Sequence, residues 1–76
     1  MPSESDRLVG SVLREMRERL GITQSDLANK LKWPQSFVSK VETGLRALKL
    51  SEAYGYANAL DMNVADFVNE VGEALA

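Results

Sequence analysis

The chain has 76 residues, enough for one small domain, and 45% of them are hydrophobic, too many for a disordered segment. It has no cysteine and no histidine, which excludes a disulfide framework, a thiolate or imidazole zinc site and a His-based catalytic triad. The formal net charge is −2, but residues 27–50 carry Lys30, Lys32, Lys40, Arg46 and Lys49 against Glu42 alone, whereas residues 51–76 carry five carboxylates and no basic residue, so one face can meet phosphate while another turns away from it.

Leu8, Val12 or Leu13, Met16 and Leu20 recur at helical spacing and predict a first helix from about Asp6 to Leu20. Ser5 or Ser3 is available to cap it, residues 1–5 are expected to be flexible, and Gly21 can end it in the left-handed conformation. Thr23 is a good cap for a second helix, with Asp26 three residues on in the capping-box position and Leu27, Ala28 and Leu31 as the buried face. Pro34 disfavours helix at Trp33 and suits the first position of a third helix. That helix spans Pro34 or Gln35 to Thr43 and stops at Gly44, with Val38 and Val41 inward. A fourth is predicted over about Ser51–Leu60 with Tyr54, Ala57 and Leu60 inward. A fifth follows Asn63, another cap with an acid, Asp66, three later; its stripe is Val64, Phe67, Val68, Val71 and Leu75. No alternating run of β-branched residues predicts a strand. The expected fold is all-α, a single domain over residues 1–76.

The run QSDLANKLKWPQSFVSKVETG, from Gln24 to Gly44, reads as two short helices around one tight turn. This is the pattern by which a protein places a helix in the major groove of DNA. Ala28 is small enough to let the two helices cross closely. The third helix then presents Gln35, Ser36, Ser39, Lys40 and Thr43, with Phe37 beside them. A carboxamide such as Gln35 can pair with the N6 and N7 edge of adenine, Lys40 can reach guanine or a phosphate, Ser36 a base edge or a phosphate, and Phe37 a thymine methyl or a sugar. On a lone helix such a polar face would be only its wet side. The capped partner helix, the short turn, Ala28 and a phenylalanine the core does not obviously need argue for the DNA reading. Gln24, at the start of the second helix, is placed for a phosphate. Thr43, Arg46 and Lys49 are expected to grip the backbone of one strand, which fixes orientation without reading sequence.

In LREMRERLGITQSDLANKL, QSFVSKVETG and YANALDMNVADF the chain resembles the Cro/C1-type (XRE-like) helix-turn-helix family, the lambdoid phage repressors and their bacterial relatives. The resemblance covers about Leu13–Phe67. It implies a compact five-helix, lambda-repressor-like DNA-binding domain with the helix-turn-helix at helices 2 and 3. Gln24 matches the family's phosphate-binding glutamine, Gln35 its first base-reading position, and Ser36 and Lys40 further reading positions. Arg17 and Glu42 match an ion pair that ties helix 1 to helix 3. Four positions depart from the pattern: Lys32 replaces the glycine of the turn, Leu45 a basic residue, Leu48 a proline, and Asp61 a glycine that ends helix 4.

One such domain reads only a few base pairs, and two related by a two-fold axis read a palindrome with half-sites about 34 Å apart. A homodimer on double-stranded DNA is therefore expected, with Val68, Val71 and Leu75 at its interface, since a core this small cannot cover them all. The expected function is a sequence-specific transcriptional regulator, a repressor at a palindromic operator. The alternative is an antitoxin or other protein-binding module with autoregulatory DNA binding; the short end EVGEALA argues against it. An enzyme is not expected, because candidate acids and bases are scattered, and neither is a cofactor. With no apolar signal core in MPSESDRLVG and no apolar run of about 18 residues, the cytoplasm is the expected location and a membrane partner is not.

Overall fold

The structure, a computed structural model, describes residues 2–76. Ser3, not Ser5, opens the first helix: its hydroxyl accepts from the Asp6 N–H at 3.0 Å, and α1 runs Glu4–Arg19. The segment expected to be flexible is thus already helical at Glu4 and Ser5, while Met1 lies outside the described residues. Thr23 and Asp26 exchange bonds of 3.0 and 2.9 Å in a full capping box and start α2, Gln24–Leu31. The Thr23 backbone N–H holds the Asp26 carboxyl below its ordinary range. Pro34 stands one residue before α3, Gln35–Glu42, in extended conformation instead of at its first helical position. α4 spans Leu50–Ala59, and α5 spans Val64–Leu75 behind Asn63, which accepts from the Ala65 N–H at 2.7 Å. No strand occurs among the described residues.

Three helix ends close the same way. The N–H of Trp33 returns to the Ala28 carbonyl at 3.1 Å, that of Leu45 to Lys40 at 2.9 Å, and that of Met62 to Ala57 at 2.9 Å. Each closure needs a left-handed residue just past the helix. Gly44 supplies it at φ +81°; the other two are Lys32 at +61° and Asp61 at +57°, which carry side chains into a region that disfavours them.

α1 lies across α3 and α5, α2 packs on α3 and α4, and α4 on α5. The side chains that meet between them are Leu13, Met16, Leu27, Val38, Val41, Tyr56, Leu60 and Phe67, each worth about 1.5–3 kcal/mol of burial where fully aliphatic or phenyl. Two expectations change. Leu8 in the second turn of α1 and Leu20 just past its last residue are exposed, and Tyr54 is 60% exposed whereas Tyr56 is fully buried. Residues two apart on a helix face nearly opposite ways, so only one tyrosine can enter the core. Gly10 sets the closest approach: a Cβ there would lie 2.4 Å from the Val41 carbonyl oxygen and 2.5 Å from that of Glu42, so α1 crosses the end of α3 backbone against side of helix.

Candidate nucleic-acid interface

α3 turns one side of its short length inward. Val38, Val41 and Glu42 are buried, which leaves Gln35, Ser36, Lys40 and Thr43 outward and Ser39 half-covered. Behind that outward side sits a buried ion pair. Arg17 Nε donates to Glu42 Oε2 at 2.7 Å and Nη2 to Oε1 at 3.1 Å, while Nη1 donates to the Ile22 carbonyl at 2.8 Å. The hydrogen bonds it donates to Glu42 hold the Arg17 guanidinium even more firmly protonated than usual. The structure therefore brings together the two residues matched to an ion pair, and the pair also fixes the loop into α2.

From this pair a chain of hydrogen bonds leads to the surface. Gln24 Nε2 donates to Glu42 Oε1 at 3.0 Å, Gln35 Nε2 donates to Gln24 Oε1 at 3.4 Å, and Ser25 Oγ donates to Gln35 Oε1 at 3.0 Å. A carboxamide has two N–H donors and two acceptor lone pairs. Gln35 thus keeps one of each free, in an orientation set by two neighbours. Gln24 keeps one N–H free beside the first amides of α2, which have no intrahelical acceptor. Ser25, which aligns Gln35, is a site residue the sequence reading missed; its position after Gln24 carried no signal of its partner.

The opposite flank of α3 differs from expectation. Phe37 is half-buried, edge-on to Trp33 with centroids 4.4 Å apart, and packs against the core, so it has a structural use independent of DNA. The Arg46 guanidinium lies 4.4 Å from the Phe37 ring centroid. It donates to Glu52 at 2.9 and 2.8 Å and to the Ala47 carbonyl at 2.9 Å. The bond from Arg46 draws the Glu52 carboxyl below its ordinary range. Arg46 is therefore held by α4, not extended toward a partner strand. Thr43 turns its hydroxyl back on the Ser39 and Lys40 carbonyls at 3.0 and 3.2 Å. Lys32, Lys40 and Lys49 are exposed and pair with no carboxylate among the described residues.

The residues expected at a dimer contact lie on α5. Val68 and Val71 line a mostly apolar groove of about 230 Å³ with Val9, Leu48, Leu50, Ala53, Phe67 and one charged residue, Lys49. Leu75 is 45% exposed further along α5, and Leu50, which the sequence reading left unassigned, is 76% exposed at the groove's rim.

A helix-turn-helix family model matches residues 13–67. The chain belongs to this family, the Cro/C1 type of helix-turn-helix protein. Among solved structures it is similar to the restriction-modification controller protein C.AhdI from Aeromonas hydrophila, at 33% identity and TM-score 0.75 over 80% of this chain and 92% of that one. It is also similar to a single-residue variant of the restriction-modification controller protein C.Esp1396I, at 25% identity and TM-score 0.87 over 99% and 95% of the two chains. A tetramer of C.Esp1396I in complex with its natural 35 base-pair operator shares the fold, at 23% identity and TM-score 0.86 over 96% of each chain. No curated protein matches the sequence.

Proposed function

We propose that the chain is a sequence-specific DNA-binding regulator of transcription, a repressor that binds a palindromic operator as a homodimer. Membership of the helix-turn-helix family supports the DNA-binding role. The observation that carries sequence specificity is Gln35, held by Ser25 and Gln24 with one donor and one acceptor left over. Those two free functions are what bidentate recognition of adenine requires. Gln24 and the first amides of α2 offer a phosphate site on one side of α3; Lys32, Lys40 and Lys49 supply cations for the backbone. Ser36 and Ser39 complete the reading side.

The apolar groove with Val68 and Val71, together with Leu75 and the protruding Leu50, is the surface proposed to meet a second copy. An isologous contact suits a patch that holds both a projection and a recess. Restriction-modification controllers are among the similar structures, and one of them is seen as a tetramer on its operator. By the same reading this chain occupies an operator and so blocks or recruits polymerase. Among the described residues no helix is long and apolar enough to cross a membrane, and the proposed place of action is the cytoplasm.

Selection of bound sites from a random duplex pool tests this reading. A two-fold symmetric consensus is the expected result; binding without any sequence preference would overturn it. Sedimentation at tens of micromolar protein tests the dimer, and a monomeric mass would count against it.

A further inference from the structure

Arg46 lies on the rim of the reading side, because it covers Phe37, which stands one helical turn before Lys40. A free arginine at such a rim would be an obvious phosphate ligand. Three of its five N–H donors are instead taken up within the chain, by both oxygens of Glu52 and by the Ala47 carbonyl. Glu52 is itself fixed, since its Oε1 also accepts the Lys49 N–H at 2.9 Å at the start of α4. Carboxylate and guanidinium are both partly covered, so the pair is screened less than an open surface pair.

We propose that Glu52 is a specificity-determining residue: by holding Arg46 on Phe37 it withholds a cation from the DNA backbone and keeps sequence-independent affinity low. The inference rests on the DNA-binding reading. A loose complex on arbitrary sequence can use any exposed cation, whereas a docked complex uses only those its geometry presents. Neutralising a rim cation therefore weakens the loose complex more than the docked one, and discrimination is the difference between the two. Arg46 in turn becomes a positioning residue that fixes the ring of Phe37 and the α3–α4 loop.

The test is a salt series on the full chain and its variants Glu52→Gln, Arg46→Gln and the double variant, with a random-sequence duplex and with the selected operator. Glu52→Gln should bind the random duplex several-fold tighter at about 0.1 M salt, with a slope of log affinity on log salt steeper by about 0.9, the value of one added phosphate contact. Arg46→Gln alone should leave that slope unchanged, and the double variant should return to wild-type behaviour. Should Glu52→Gln melt below the assay temperature, Arg46→Gln alone decides, an unchanged slope supporting the proposal. A flatter slope in Arg46→Gln would show that the arginine already grips a phosphate and would overturn it. So would tighter binding that survives in the double variant, since loss of carboxylate repulsion would then be the cause. If the wild type binds DNA and Glu52→Gln matches it, this inference alone falls; if the wild type binds no duplex, the DNA-binding reading falls with it.

Discussion

Gln24 donates to Glu42 across 3.0 Å, and this one bond joins the buried ion pair to the outward side of the third helix. Remove it and the carboxamide that aligns Gln35 is free to rotate. The interior of the domain thus sets the orientation of a surface group.

Gln35→Ala is expected to weaken operator binding by about 1–3 kcal/mol and to relax preference at one base position. Gln24→Ala should reproduce part of that loss. Because the two side chains share a hydrogen bond, a double-mutant cycle on operator affinity should show a coupling of about 0.5–3 kcal/mol. Strict additivity would mean that the contact does not organise the reading head.

Arg17→Met leaves Glu42 buried without its partner and should destabilise the domain by about 3–5 kcal/mol. Total stability for a chain of this size is about 4–11 kcal/mol, so the variant will be marginal in a thermal melt. The double variant Arg17→Met/Glu42→Leu replaces the pair by apolar groups and should recover most of the loss. It should still bind operator more weakly than wild type, because Gln24 has lost its acceptor. Recovery of both stability and affinity would refute the link.

Gly10→Ala puts a methyl group against the carbonyls of Val41 and Glu42. The neighbours are backbone atoms and cannot swing aside, so α1 must lift from α3. A loss of about 1–3 kcal/mol is expected in denaturant unfolding. An alanine that melts like wild type would show that the crossing is looser than described.

Lys32 and Asp61 both hold left-handed conformations. That conformation costs a side chain about 1–2 kcal/mol, less for aspartate, while glycine loses extra chain entropy of about 0.5–1 kcal/mol. Lys32→Gly should accordingly stabilise the fold by up to about 1 kcal/mol and Asp61→Gly by less. The order of the two melting temperatures is the decisive reading.

The Tyr56 hydroxyl is buried with no hydrogen-bond partner among the described residues. Tyr56→Phe should therefore raise stability, by about 1 kcal/mol or about 4–8 °C in Tm. Burial also pushes the phenol well above its ordinary value near 10. A raised folded value means that its contribution is intact below about pH 10 and is lost as pH climbs from there toward the folded value. Alkaline unfolding should start later in Tyr56→Phe, and coincident alkaline limbs would argue against a buried phenol.

Local chemistry made most of the fold legible. Thr23 with Asp26 and Asn63 act within a few residues of themselves, so a reader of the chain can place the helix starts they define. Arg17 and Glu42 are 25 positions apart, and only the family resemblance paired them. Periodicity could not separate Tyr54 from Tyr56, because both leave acceptable apolar neighbours on α4. Gly10 inside α1 went unread, although an isolated glycine in a helical pattern can mark close packing. Arg46 and Glu52 misled for a different reason: each fits the charge trend of its own segment, and their cancellation exists only after the α3–α4 loop has folded back.

The glycine crossing has a consequence for the operator. Since α1 is pressed on the end of α3 and also packs on α5, the reading helix and the proposed contact with a second copy are braced on the same helix. Such a dimer is a ruler with little give. One extra base pair between half-sites would turn the second by about 34–36° and shift it by about 3.4 Å, beyond what a stiff pair of heads can follow. The spacer of its binding site should be as strictly determined as the bases it reads.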